Sequence, residues 1–108
     1  MNFSEYIQYD GLGLAKLVKD KEIHPSELLQ VALEHTHKAN PKLNAIIIPM
    51  YEQAKQRAQQ PLTGTFAGVP FLVKDLFQEY QSVPTSYGSN ALKRINYTPD
   101  FNAEIVKK

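Results

Sequence analysis

Residues 68–77 read GVPFLVKDLF, and the fold turns on whether this run is a strand. Phe71, Leu72 and Val73 stand together, Leu76 and Phe77 follow, and Lys74 and Asp75 interrupt them. A strand with one face in water alternates polar and apolar residues, whereas a short continuous apolar run fits a strand buried on both faces. Gly68 and Pro70 bound the run, so a strand is expected near residues 70–75. Lysine inside it is then the anomaly. An ordinary strand lysine snorkels its amine to solvent or pairs with a carboxylate. Asp75 is a poor partner while the strand continues, because consecutive side chains point to opposite faces.

Outward from this run, residues 45–48 (AIII) form a β-branched segment closed by Pro49, a second expected strand. Between the two lies MYEQAKQRAQQ, with Met50, Ala54 and Ala58 on one helical face. Strand, helix, strand is a βαβ unit, whose crossover is right-handed in nearly every case. Lys74 then falls near the carboxyl end of a buried strand, where open α/β sheets bind their ligands. Two helices are expected earlier. One spans residues 12–19, with Leu14, Leu17 and Val18 at helical spacing. The other spans residues 25–39, with Pro25 in the first turn, His24 at the N-cap and a stripe of Leu28, Leu29, Ala32, Thr36 and Ala39; Asn40 and Pro41 should end it. After Asp75 the chain turns loop-like through QEYQSVPTSYGSN and regains helical character at NALKRI. Asn102 is a suitable N-cap for a last helix that starts with Ala103 and Glu104, and its apolar pattern stops within six residues, which makes a truncated domain the expectation. The expected architecture is therefore α/β, a single incomplete domain over residues 1–108 with helix-helix-strand-helix-strand order.

Composition narrows the class of partner. The 108 residues are 43% apolar and 21% charged, ordinary values for a packed domain. Twelve basic and eleven acidic side chains give a net charge of +1, which supplies no electrostatic footprint for nucleic acid or an anionic membrane. Cysteine is absent, so disulfides and thiolate metal sites are excluded, in keeping with a reducing, cytoplasmic compartment. The first ten residues carry neither the basic nor the apolar region of a secretory signal.

Among candidate chemical groups Lys74 leads. A buried ammonium with no anion beside it loses its proton readily, by up to ~3–5 pKa units on full burial, and the neutral amine is a general base toward a hydroxyl nucleophile. Ser82, Ser86 and Ser89 follow at 8, 12 and 15 residues, but in a Gly/Pro-rich loop they read as turn and capping serines, and YGSN is not the G-x-S-x-G elbow. His35 and His37 lie two apart on a helix, unlike the i, i+4 pair of a zinc helix. Gly11-Leu-Gly13 opens a dinucleotide pattern that Lys16 breaks, and Gly64 and Gly68 lack the Lys-Ser/Thr of a phosphate loop. No cofactor or metal is expected.

Taken in order, GLGLAKLVKDKEIHPSELL, NPKLNAIIIP, FAGVPFLVKDLF, VPTSYGSNAL and PDFNAEIVKK resemble the amidase signature hydrolases from about Tyr9 onward. The most specific piece is GVPFLVKDL, and YDGLGLAKLV resembles the amidases that include 6-aminohexanoate cyclic dimer hydrolases. The resemblance implies an α/β/α sandwich around a mixed sheet and a catalytic set of Ser, cis-Ser and Lys, with Lys74 as the lysine. It implies that this lysine deprotonates the cis-serine, which activates the nucleophilic serine for attack on an amide, giving an acyl-enzyme. Both serines belong to a later Gly/Ser-rich motif that residues 75–108 do not contain. Ser86 and Ser89 match a different family segment and take neither role, and His24 stands where serine is common.

Three functions are compatible with these readings. The first is the N-terminal portion of an amidase acting on a small-molecule amide, inactive by itself. The second is a non-catalytic binding module, able to form a homodimer through unpaired sheet edges. The third is the A subunit of a glutamyl-tRNA amidotransferase.

Overall fold

The computed structural model describes residues 1–107 and divides them between two compact units, Met1–Pro70 and the segment from Phe71 onward. All the regular structure described is helical: α1 (Phe3–Tyr6), α2 (Gly11–Lys19), α3 (Pro25–Leu43), α4 (Tyr51–Ala58), α5 (Asn90–Arg94) and α6 (Glu104–Lys107). The first four lie in the first unit, the last two in the second.

Local sequence explains where the helices start and stop. Asn2 and Glu5 form a reciprocal capping box around α1, a short helix that the hydrophobic pattern does not signal and the Asn-x-x-Glu spacing does. Asp10 caps α2 by accepting the Gly13 N–H at 2.7 Å. Its far end is a Schellman turn: the Lys21 N–H donates to the Val18 carbonyl and the Glu22 N–H to the Leu17 carbonyl. Lys21 holds the left-handed position of that turn at φ 60°, where glycine is usual. His24 does occupy the N-cap of α3, its Nδ1 accepting from the Ser26 N–H at 3.2 Å.

α3 runs four residues past the expected stop. Pro41 is accommodated in its last turn, and termination passes to Asn40 and Asn44. Asn44 turns left-handed at φ 47°, and the Asn40 side chain accepts from the N–H groups of Ala45 and Ile46 and donates to the Ile46 carbonyl, each at 2.9 Å. One amide thus satisfies the backbone of the turn that follows the helix.

The core of the first unit is Leu14, Ile23 and Leu28, with Tyr6, Leu17, Val18 and Val69 packed against it. α3 also packs on α1 and α4. Leu28 is 0% exposed, and Val31 and Leu33, outside the expected stripe, are buried as well. The reason is that α3 has neighbours on more than one side: Leu29 and Leu33 line a hollow with Lys55, Gln56 and Gln59 at and beside α4. Phe3 stacks on His35 with ring centroids 3.6 Å apart, and His37 meets Tyr51 edge-on, so both histidines are aromatic packing partners.

The expected α/β sandwich with a mixed sheet is not what forms. Residues 45–48 and 70–75 carry no strand among the described residues, and helix-helix-strand-helix-strand order gives way to helices joined by irregular chain. A helix closes its hydrogen bonds within itself, whereas a strand needs a neighbour; neither segment has one here. The burial inferred for the second run fails for the same reason. Phe71 is 84% exposed and Phe77 73%, and Leu72, Val73 and Leu76 are exposed too.

The second unit has its own order. Glu79, Ser82 and Thr85 are tied through their backbones to Ala103, Pro99 and Tyr97 respectively, at 2.9 to 3.0 Å, so two irregular segments run antiparallel. The Asn102 side chain accepts from the Gln81 N–H at 2.7 Å and reinforces this pairing rather than capping the last helix, which begins two residues later. Ser89 is the N-cap of α5.

Two substitutions test the first unit. Leu28→Ala should cost about 2–5 kcal/mol, read as a lower urea midpoint at constant slope by far-UV circular dichroism. Gly68 sits at φ 85°, and a Cβ there would lie 2.9 Å from Val18 Cγ1 and 3.0 Å from Pro25 Cγ. Gly68→Ala should therefore destabilise by about 1–3 kcal/mol, and an unchanged midpoint would show that the loop yields freely.

Candidate functional site

The amine singled out from the sequence is exposed, so the burial that motivates a base at Lys74 is absent in this chain. Its side chain makes no ion pair or hydrogen bond with another described residue. Its backbone is held, with the N–H donating to Gln78 Oε1 at 2.7 Å across a turn in which Phe77 adopts φ 56°. Lys74 is thus a tethered backbone carrying an unclaimed amine.

Asp75 does not pair with it. The carboxylate faces the loop ten residues on, where Oδ1 accepts from Thr85 Oγ1 at 2.5 Å and from the Ser86 N–H at 2.9 Å, and Oδ2 accepts from Ser86 Oγ. Burial by itself would raise this carboxyl, but the hydrogen bonds from Ser86, Thr85 and the Tyr87 backbone outweigh it and hold Asp75 below its ordinary value of 3.8. A lowered folded-state value stabilises the fold above the ordinary one, and the contribution is lost as pH falls through the lowered value; acid titration followed by amide exchange registers that loss.

Sequence reasoning misses this tie, although a signal is present. A carboxylate inside an apolar run needs donors, and Thr85-Ser86 is a nearby hydroxyl pair. Beside it the Tyr87 hydroxyl donates to Glu79 Oε1, a bond that, with burial, pushes the phenol up to about 12. Glu79 and Thr85 are both buried.

The three loop serines are thereby accounted for. Ser86 donates to Asp75, Ser89 caps α5 by accepting from Leu92 N–H, and Ser82 turns left-handed at φ 65° while its N–H donates to the Pro99 carbonyl. The structure does not bring any of them to Lys74 as a hydrogen-bonded dyad. A separate cleft of about 670 Å³ lies in the first unit, lined by Lys16, Lys19 and His24 together with Leu12, Ala15 and Val18. No helix among the described residues is long and apolar enough to cross a membrane.

Comparison with known proteins places this arrangement. The family model described as Amidase matches residues 27–108, which include the Lys74–Asp75 run and the loop that Asp75 binds. The 6-aminohexanoate-cyclic-dimer hydrolase of Paenarthrobacter ureafaciens is 36% identical over 99 residues, covering 92% of this chain and 20% of that protein. A solved structure of 6-aminohexanoate cyclic dimer hydrolase superposes with a TM-score of 0.85 at 35% identity, over 92% of this chain and 20% of that one. The A subunit of the glutamyl-tRNA(Gln) amidotransferase of Persephonella marina is 28% identical over 104 residues, 88% of this chain and 21% of that protein. The chain thus spans about a fifth of the length of the curated relatives it matches. A family match that covers most of the residues, joined by a relative above 30% identity across nearly all of them, establishes that the chain belongs to the amidase family.

Proposed function

We propose that residues 1–108 are the amino-terminal portion of a cytoplasmic amidase that hydrolyses carboxamide C–N bonds, and that Lys74 is its general base. The observation that carries this reading is the family match across the GVPFLVKDL run. The unclaimed amine of Lys74, on a backbone tethered through Gln78, supports it. In the proposed reaction Lys74, acting as the base, takes a proton from a bridging cis-serine, which takes one from the nucleophilic serine. The serine oxygen then attacks the amide carbonyl; as the tetrahedral adduct collapses, the proton held by the lysine returns through the cis-serine to the departing nitrogen, the C–N bond breaks to release the amine, and an acyl-enzyme is left for water to cleave. Neither serine is assigned within this chain, because residues 75–108 hold no Gly/Ser-rich motif to carry them, and Ser82, Ser86 and Ser89 are engaged in turns, a carboxylate tie and a cap. The relative named for the 6-aminohexanoate cyclic dimer makes that compound the first substrate to try.

The isolated 108-residue chain should show no turnover of this cyclic dimer or of a simple anilide. The natural polypeptide that carries the segment, expressed to its own stop codon, should hydrolyse an amide and lose about 10²- to 10⁴-fold in kcat on Lys74→Ala, with an unchanged melting temperature. Undiminished turnover in Lys74→Ala would remove the lysine from the mechanism. Hydrolysis by the isolated chain that vanished in that variant would instead place the nucleophile among its own serines.

A further inference from the structure

We infer that Asp75 is the positioning residue for Lys74, acting as an anionic clamp on the backbone that carries the amine. The inference rests on the reading of Lys74 as a base and adds a residue to it. Three observations converge on the clamp. The carboxylate is half-buried and pairs with no cation among the described residues; its hydrogen-bond partners are the hydroxyls of Thr85 and Ser86 and the N–H of Ser86. Thr85, one of these anchors, is itself buried and fixed through its own N–H to the Tyr97 carbonyl at 3.0 Å. On the other side of Lys74, its N–H is held by Gln78.

The peptide flanking Lys74 is therefore pinned on both sides while the side chain beyond Cα stays open. A base works only from a position within hydrogen-bond reach of its proton, so fixing the Cα reduces the search to the rotamers of one side chain. Aspartate is also the residue type the donors demand. Ionised, it only accepts, and its two oxygens serve all the donors together; asparagine of the same shape would turn an NH₂ toward at least one of them. The neighbouring carboxylate is thus kept from pairing with the lysine by having its acceptor positions filled by the loop.

Two measurements test the clamp. In the 108-residue chain, Asp75→Asn should speed amide hydrogen exchange at Lys74 and Ser86 by about tenfold or more, with exchange in α2 and α3 unchanged. In the natural polypeptide, Asp75→Asn and Thr85→Val should lower kcat by about 10- to 100-fold while KM stays within about twofold, and Thr85→Ser, which keeps the hydroxyl, should restore kcat. Wild-type exchange and wild-type kcat in Asp75→Asn would overturn the clamp. A parallel loss of kcat, KM and melting temperature that Thr85→Ser fails to rescue would reduce it to a general stabilising contact. Lys74→Ala separates the two readings: retained turnover there sinks the base, whereas an inactive Lys74→Ala beside a fully active Asp75→Asn sinks the clamp alone.

Discussion

The obligation of every backbone N–H and C=O to find a partner decides what this chain can build. Helices meet it within a single segment, and the caps at Asn2, Asp10 and His24 meet it at their ends. Extended segments meet it only across to a neighbour. Where the chain supplies one, as between Glu79, Ser82 and Thr85 and their partners Ala103, Pro99 and Tyr97, the backbone pairs even without regular strands. Where it supplies none, as at residues 70–75, the apolar run lies open.

Legibility in the sequence follows the same division. Helices whose start is written in capping chemistry, at Asp10, His24 and Ser89, begin within a residue or two of their expected positions, since that information is local. The end of α3 is harder to read: Asn40 and Pro41 have the look of breakers, whereas the Asn40 amide bonds forward to residues 45 and 46 and lets the helix continue. The strands expected at residues 45–48 and 70–75 rest on composition, which records that a segment is fit for a sheet and says nothing about whether a sheet is there. The buried-lysine argument inherits that gap, being a statement about surroundings drawn from a segment alone.

The site shows what a linear reading finds and what it passes over. Lys74 stands out because it breaks an apolar run, and it lies within the family match over residues 27–108. Asp75, read along the chain, is only a possible partner for its neighbour. Its true partners lie ten and eleven residues along, and a contact of that span is set by how the loop folds back. The absence of a pairing between adjacent opposite charges is itself informative, for it leaves the amine uncommitted and the carboxylate structural.

The exposed run gives the Lys-Asp pair a second physical effect, in colloidal terms. Without those two residues, positions 71–77 would be an uninterrupted stretch of aromatic and aliphatic side chains with high strand propensity, the composition that drives cross-β association between copies. Two opposite charges at its centre split it into a triplet and a pair and oblige any in-register stack to bury unpaired ammonium groups beside like neighbours. The same lysine that singles out the run therefore also breaks its apolar continuity, as a charge placed within such a segment does.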